Sequence, residues 1–236
     1  MELSSGQKKV LGHFNDNENI FVTGPGGSGK SEVIKHIFNK STEKSIKICV
    51  TALTGVAANL LDCNATTLHS WAGIGLGTRD LNSNIRKIRK SKFKLDNWVN
   101  TDVLVIDEVS MLSLELFEML DKIGKNIRNN DKIFGGIQVI LSGDFFQLPP
   151  IGNDSFCFES DLFNFFKKVC LRVIFRQDNP EFKKILNNIR VGKITMSGIG
   201  LLKSRIGLTP PDNIEPTFLS PIKRIVTDIN NKKLGM

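Results

Sequence analysis

The octapeptide Gly24-Pro25-Gly26-Gly27-Ser28-Gly29-Lys30-Ser31 fits G-x-x-x-x-G-K-[ST], and it constrains the fold of this chain more than any other segment. Its glycines let the backbone curl until successive N–H groups point inward at phosphates, beside the first turn of a helix. Such a loop needs a strand before it and a helix after it. Asn19-Ile20-Phe21-Val22-Thr23 reads as a buried strand, and residues 30–39 as a helix with Val33, Ile34, Ile37 and Phe38 at helical spacing. In that setting Gly24, Gly26, Gly27, Ser28 and Gly29 would wrap a triphosphate. Lys30 would place its ammonium on the β- and γ-phosphates, and Ser31 would give its hydroxyl to the metal. The expected ligands are ATP and Mg²⁺.

A phosphate loop needs carboxylates opposite it. Val103-Leu104-Val105-Ile106-Asp107-Glu108 is an apolar strand that delivers two acids at its C-terminal end, where parallel sheets bind ligands. Asp107 is expected to hold the Mg²⁺ shell, and Glu108 to orient and deprotonate the attacking water. A third strand end carries Ser142-Gly143-Asp144-Phe145-Phe146-Gln147-Leu148-Pro149-Pro150. There Gln147, held between rigid Gly and Pro residues, could hydrogen-bond the γ-phosphate or the water.

Further strands are expected near 46–51, 102–106 and 137–141, with helices near 55–61 and 113–127. This alternation predicts an α/β fold: a RecA-like P-loop NTPase whose parallel sheet has helices on both faces. After about residue 175 the pattern loosens, with a helix expected over 181–191, a strand over 216–219 and a helix over 222–234. Phe134 and the stripe Leu116, Leu120, Ile123 and Ile127 read as core. The scattered Cys49, Cys63, Cys157 and Cys170 form no C-x-x-C pair, and all four read as small core hydrophobes.

Composition adds a partner class. The 236 residues carry a formal charge of +8, which favours a polyanion because Lys and Arg displace counterions condensed on phosphates. No apolar run approaches bilayer length, and Met1-Glu2-Leu3-Ser4-Ser5 lacks the basic-then-apolar order of a signal peptide. A soluble intracellular monomer without membrane contact is expected; nucleus and viral replication site stay open. Tyr is absent while Phe occurs 16 times, so base stacking would use Phe, Trp, His or Arg. The basic run Arg86-Lys87-Ile88-Arg89-Lys90-Ser91-Lys92-Phe93-Lys94 reads first as a solvated face.

Taken in order, several stretches resemble the Pif-type (petite integration frequency) DNA helicases of helicase superfamily one, the 5′-to-3′ branch. They are residues 24–31, Leu53-Thr54-Gly55-Val56-Ala57-Ala58, and Thr67-Leu68-His69-Ser70-Trp71-Ala72-Gly73-Ile74-Gly75. Residues 104–111, Phe134-Gly135-Gly136-Ile137-Gln138, residues 143–150 and Val173-Ile174-Phe175-Arg176-Gln177 complete the series. The resemblance implies that Gln7 reads the adenine edge and that Gln147 is the γ-phosphate sensor. It implies that Arg176 reaches the γ-phosphate from a second domain and stabilises transition-state charge. Thr51, Thr54 and Gly55 fall where the family grips the backbone of single-stranded DNA. Thr67, His69 and Trp71 match a second DNA-contacting stretch, in which Trp71 either stacks on a base or packs with His69 in the core.

The function so implied is an ATP-dependent DNA helicase, or its ATPase half, acting on single strands and duplex junctions in replication, recombination or repair. The expected domains are residues 1–176, the RecA-like ATPase, and residues 177–236, a linker with the start of an incomplete second helicase domain. Two rivals fit the same residues. One is a nucleic-acid-binding module switched by ATP with little unwinding; the other is a P-loop ATPase whose target is a protein.

Overall fold

Short strands of two to six residues, separated by helix-forming segments, assemble in the computed structural model into one six-stranded sheet. The structure describes residues 3–75, 77, 80–152, 155–208 and 217–235. The strands are β1 (Ile20–Thr23), β2 (Ile48–Ala52), β3 (Thr66–Thr67), β4 (Val103–Asp107), β5 (Gln138–Gly143) and β6 (Lys167–Cys170). They lie in the order β3-β2-β4-β5-β1-β6, and every pairing is parallel. All strand C-termini therefore share one edge. The helices are α1 (Ser5–Asn15), α2 (Lys30–Glu43), α3 (Gly55–Leu60), α4 (Leu68–Ala72), α5 (Leu81–Lys90), α6 (Lys92–Asn100), α7 (Leu114–Arg128), α8 (Pro180–Arg190), α9 (Met196–Lys203) and α10 (Lys223–Leu234).

Strand periodicity divides the core in two. Ile20 and Val22 of β1, Val103 and Val105 of β4 and Ile140 of β5 face one layer, where α1, α2 and α3 add Val10, Ile34, Ile37 and Leu61. Phe21, Leu104, Ile106, Val139 and Leu141 face the other, against Leu68, Ile88, Trp98, Phe117, Leu120 and Ile123 of α4 to α7. Because both faces are covered, the central strands β1, β4 and β5 are buried nearly throughout, which is why they read as apolar runs. Phe134 is fully buried in the second layer, and Leu116 and Ile127 are partly buried against it. The second layer is rich in Phe: Phe21, Phe145 and Phe163 meet with ring centroids 5.0–6.1 Å apart.

Several elements depart from expectation. β6 exposes Lys167, Lys168 and Cys170 and buries only Val169, as an edge strand can, so it has no apolar run to detect. Cys170 is exposed and Cys49 half-buried, so only Cys63 and Cys157 are the core thiols expected of all four; burial pushes Cys157 up to about 12. The basic run lies on α5 and α6. Asp80 caps α5 by accepting the Ser83 N–H, and Ile85 and Ile88 face inward while the cations face solvent. Pro216 of the strand expected over 216–219 lies outside the described residues, and Thr217–219 form none.

By its contacts the chain divides into Met1–Lys193 and Ile194–Met236. The first unit therefore runs past the expected boundary at 176 and includes α8, whose Ile185 is buried and whose Arg190 pairs with Asp144. Within the second unit α9 is capped by Thr195, and α10 buries no residue. No helix among the described residues is long and apolar enough to cross a membrane.

Candidate nucleotide site

β1 ends at Thr23, and the chain turns through the glycines before α2 begins at Lys30. Gly29, the N-cap residue, is left-handed (φ 83°, ψ 27°) and offers no side-chain cap, so the first N–H groups of α2 are left for a ligand. Gly27 is also left-handed (φ 77°), and a Cβ there would stand 2.5 Å from Cβ of Arg176. The backbone of the segment after β6 closes on this loop: the Phe175 N–H donates to the Gly27 carbonyl at 2.8 Å. On the other side Gln7 Nε2 donates to the Gly29 carbonyl at 3.2 Å. Lys30 Nζ donates to the carbonyls of Gly24 (2.7 Å) and Pro25 (3.2 Å). Burial lowers the Lys30 pKa, against the opposing pull of Asp144, Asp107 and Glu108.

β4 is buried along its whole length and brings Asp107 to the same edge, 7% exposed. Glu108 follows in the left-handed region (φ 57°, ψ 42°), a conformation that costs a non-glycine residue about 1 kcal/mol or more. Burial raises the pKa of both acids. For Asp107 the Ser142 hydroxyl and the Lys30 ammonium oppose the rise. For Glu108 the neighbouring Asp107 charge adds to it.

A cavity of about 470 Å³ lies between these elements. Gly26, Gly27, Ser28, Gly29, Lys30, Ser31, Asp107, Glu108, Gln147 and Arg176 all line it, as expected, and Phe175 joins them. They come from the C-terminal ends of β1, β4, β5 and β6. Arg176, the last residue of the expected 1–176 domain, lies within the first unit. Gly24 and Gln7, expected at the nucleotide, do not line the cavity: the Gly24 carbonyl accepts from Lys30 Nζ, and Gln7 reaches the loop at the Gly29 carbonyl. Gln7 is 3% exposed, and its Oε1 accepts the Ser4 N–H at 2.9 Å to close the cap of α1. A groove of about 720 Å³ shares Ser31, Asp107, Glu108, Gln147 and Arg176 and runs on past Thr54 to exposed Val56, Leu60 and Leu148. The larger hollow, about 990 Å³, opens among Asn19, Asp102, Gln138 and Lys167 at the opposite strand ends and holds none of the expected residues.

The residues expected to touch DNA divide into two groups. Thr54 and Thr67 cap α3 and α4, accepting the N–H groups of Ala57 and Ser70 at 3.2 Å each. They stand near the C-terminal ends of adjacent β2 and β3, with Gly55 exposed and His69 half-buried. Thr51 and Trp71 require correction. Thr51 is fully buried and donates its hydroxyl to the Val105 carbonyl at 2.7 Å, so that hydroxyl serves the sheet. Trp71 is 2% exposed and packs on Trp98 with centroids 4.6 Å apart, leaving no ring face for a base.

Sequence reasoning missed three participants: Phe175, whose N–H pins the loop, and the pair Asp144 and Arg190 behind Gln147. Asp144 lies in the run 142–150, where nothing in the sequence gives it a partner, and Arg190 carries no signal because its partner lies 46 residues away.

Fold and site together define a RecA-like, nucleotide-binding P-loop protein. The model of the PIF1-like helicase family matches residues 2–198, and the chain belongs to that family. The ATP-dependent DNA helicase PIF1 of Emericella nidulans is 40% identical over 235 residues, covering 92% of this chain and 31% of that protein. The crystal structure of Pif1 helicase from Candida albicans matches all of this chain and 55% of its own with a TM-score of 0.92 at 35% identity. The Pif1 helicase from Bacteroides in complex with ADP-AlF3 and ssDNA matches all of this chain and 57% of its own, at TM-score 0.84 and 31% identity. This chain thus spans just under a third of the length of such curated relatives.

Proposed function

We propose that this chain hydrolyses ATP in the 470 Å³ cavity and couples the cycle to movement on single-stranded DNA and to opening of duplex junctions, as the motor part of an ATP-dependent DNA helicase. One observation carries the reading: Lys30, Asp107, Glu108, Gln147 and Arg176, which come from four separate strand ends, line one cavity. The loop amides and Lys30 would hold the triphosphate. Glu108, its carboxyl raised by burial and by Asp107, is suited to take a proton from an attacking water. Arg176, permanently charged, would meet the negative charge that grows on the transferred phosphoryl oxygens.

The donor set fits Mg²⁺. In the cavity wall Ser31 and Asp107 offer hard oxygens, and the described residues hold no cluster of three His, Cys, Asp or Glu. An ion that keeps several waters and takes the rest of its shell from phosphates suits such a wall. Once bound, Mg²⁺ would neutralise charge on the β- and γ-phosphate oxygens. The DNA is assigned to the surface of Thr54, Gly55, Thr67 and His69, with ADP-AlF3 and ssDNA in the Bacteroides relative as support.

The test is ATP turnover with and without single-stranded DNA. Turnover should rise with DNA, and Lys30→Ala should abolish nucleotide binding and turnover together. Unchanged turnover in Lys30→Ala would refute the assignment of the cavity. Binding of both ligands with no turnover, Glu108 being intact, would favour the ATP-switched module. Failure to bind any single strand at moderate salt would favour a protein target.

A further inference from the structure

Asp144 is 1% exposed, yet it is a carboxylate, and among the described residues its ion-pair partner is Arg190. Arg190, in the last turn of α8, donates Nε to Oδ2 at 2.6 Å and Nη2 to Oδ1 at 2.7 Å, a two-pronged clamp. The same guanidinium lies 4.5 Å from the ring centroid of Phe146, which is otherwise exposed. Asp144 in turn shapes the loop after β5: its Oδ1 accepts the Phe146 N–H at 3.3 Å, and its carbonyl accepts the Gln147 N–H at 2.9 Å. Gln147 is itself exposed at the cavity, so the turn beneath it decides where its amide stands. The segment 175–190 therefore touches the site at both ends, at the phosphate loop through Phe175 and behind the sensor through Arg190.

From this arrangement we infer that Arg190 is a positioning residue: by clamping Asp144 and covering Phe146 it holds the Gln147 turn at the place where a γ-phosphate is sensed. The inference rests on the proposal that the cavity takes ATP with Gln147 facing its γ-phosphate. A charge-assisted clamp suits the task because a buried carboxylate that loses its partner must move or take up a proton, and the turn moves with it.

The test compares a fluorescent ADP with a non-hydrolysable fluorescent ATP analogue on the full chain, together with kcat and KM for ATP. In the wild type the triphosphate should bind more tightly. Arg190→Ala should reduce that preference by about tenfold, the worth of a hydrogen bond to a charged group, while ADP affinity holds. Gln147→Ala should do the same, and Arg190→Ala with Gln147→Ala should be no worse than Gln147→Ala alone. Arg190→Lys, which keeps the charge but only one prong, should fall between. If Arg190→Ala does not fold, Asp144→Asn reads the same quantity, since its Oδ1 still serves the Phe146 N–H. A merely structural Arg190 would instead lower the melting temperature and weaken both nucleotides equally, and either that result or effects that add with Gln147→Ala would overturn the inference. A wild type that binds neither nucleotide sinks the proposed function itself; one that turns over ATP yet binds both nucleotides equally overturns the inference alone.

Discussion

At the scale of single residues, the site is built where side chains are excluded as much as where they are supplied. Gly27 sits in the left-handed region with Arg176 Cβ 2.5 Å from where its own Cβ would be. Gly27→Ala should therefore weaken fluorescent-ADP binding by about tenfold, combining left-handed strain of about 1 kcal/mol with displacement of Arg176. An unchanged titration would mean the loop can shift freely. Trp71 shows the converse, a side chain supplied to the core where DNA contact was one expectation. Its ring is stacked obliquely on Trp98, whose Nε1 donates to the Ala72 carbonyl at 3.0 Å. Trp71→Ala should cost about 3–5 kcal/mol by chemical denaturation. Trp71→Phe should leave single-strand affinity in fluorescence anisotropy unaltered; a selective loss of DNA binding with full stability would reverse that assignment.

At the scale of elements, helix ends are joined by side chains that reach backbone carbonyls. Arg128, in the last turn of α7, donates Nε to the Gly135 carbonyl and Nη1 to those of Trp98, Val99 and Thr101. It thereby ties α7 to the end of α6, to the entry of β4 and to the turn that leads into β5. Arg128→Ala should lower stability by about 2–3 kcal/mol, visible as a melting shift of several degrees, with nucleotide affinity unaffected because the cavity lies at the other strand ends. A shift of less than a degree would show that water replaces the guanidinium at no cost. Amphipathic helices were legible where their apolar face is wide, as in α7. α5 and α6 were obscured because Ile85 and Ile88 are set among Lys and Arg, while Trp98 is set among polar residues and is the one buried residue of its helix.

At the scale of the whole molecule, the two units differ in what they bury. The first encloses two hydrophobic layers around β4 and β5. In the second, α10 buries no residue and α9 only Gly198, and helices of 12 and 8 residues are marginal without a packed face. Hydrogen exchange should find the slowest amides in β4 and β5, opening only on global unfolding, and rapid exchange in α9 and α10. Equal protection of α10 and β4 would show that the second unit has its own buried face.

The sequence alone determined the parallel sheet with helices on both faces, the phosphate loop with its Lys30 and Ser31, and the paired acids Asp107 and Glu108. These are properties of contiguous runs: a continuous apolar strand, a glycine-rich turn and the residues that follow them carry their meaning within a few positions. Tertiary structure decided the rest. It placed Arg176 over Gly27 within the first unit, closed the Arg190–Asp144 clamp across 46 residues, buried Trp71 against Trp98 and turned the Thr51 hydroxyl into the sheet. Each depends on a partner distant in the chain, and a residue's neighbours in sequence carry no record of which distant group will share its low-dielectric surroundings.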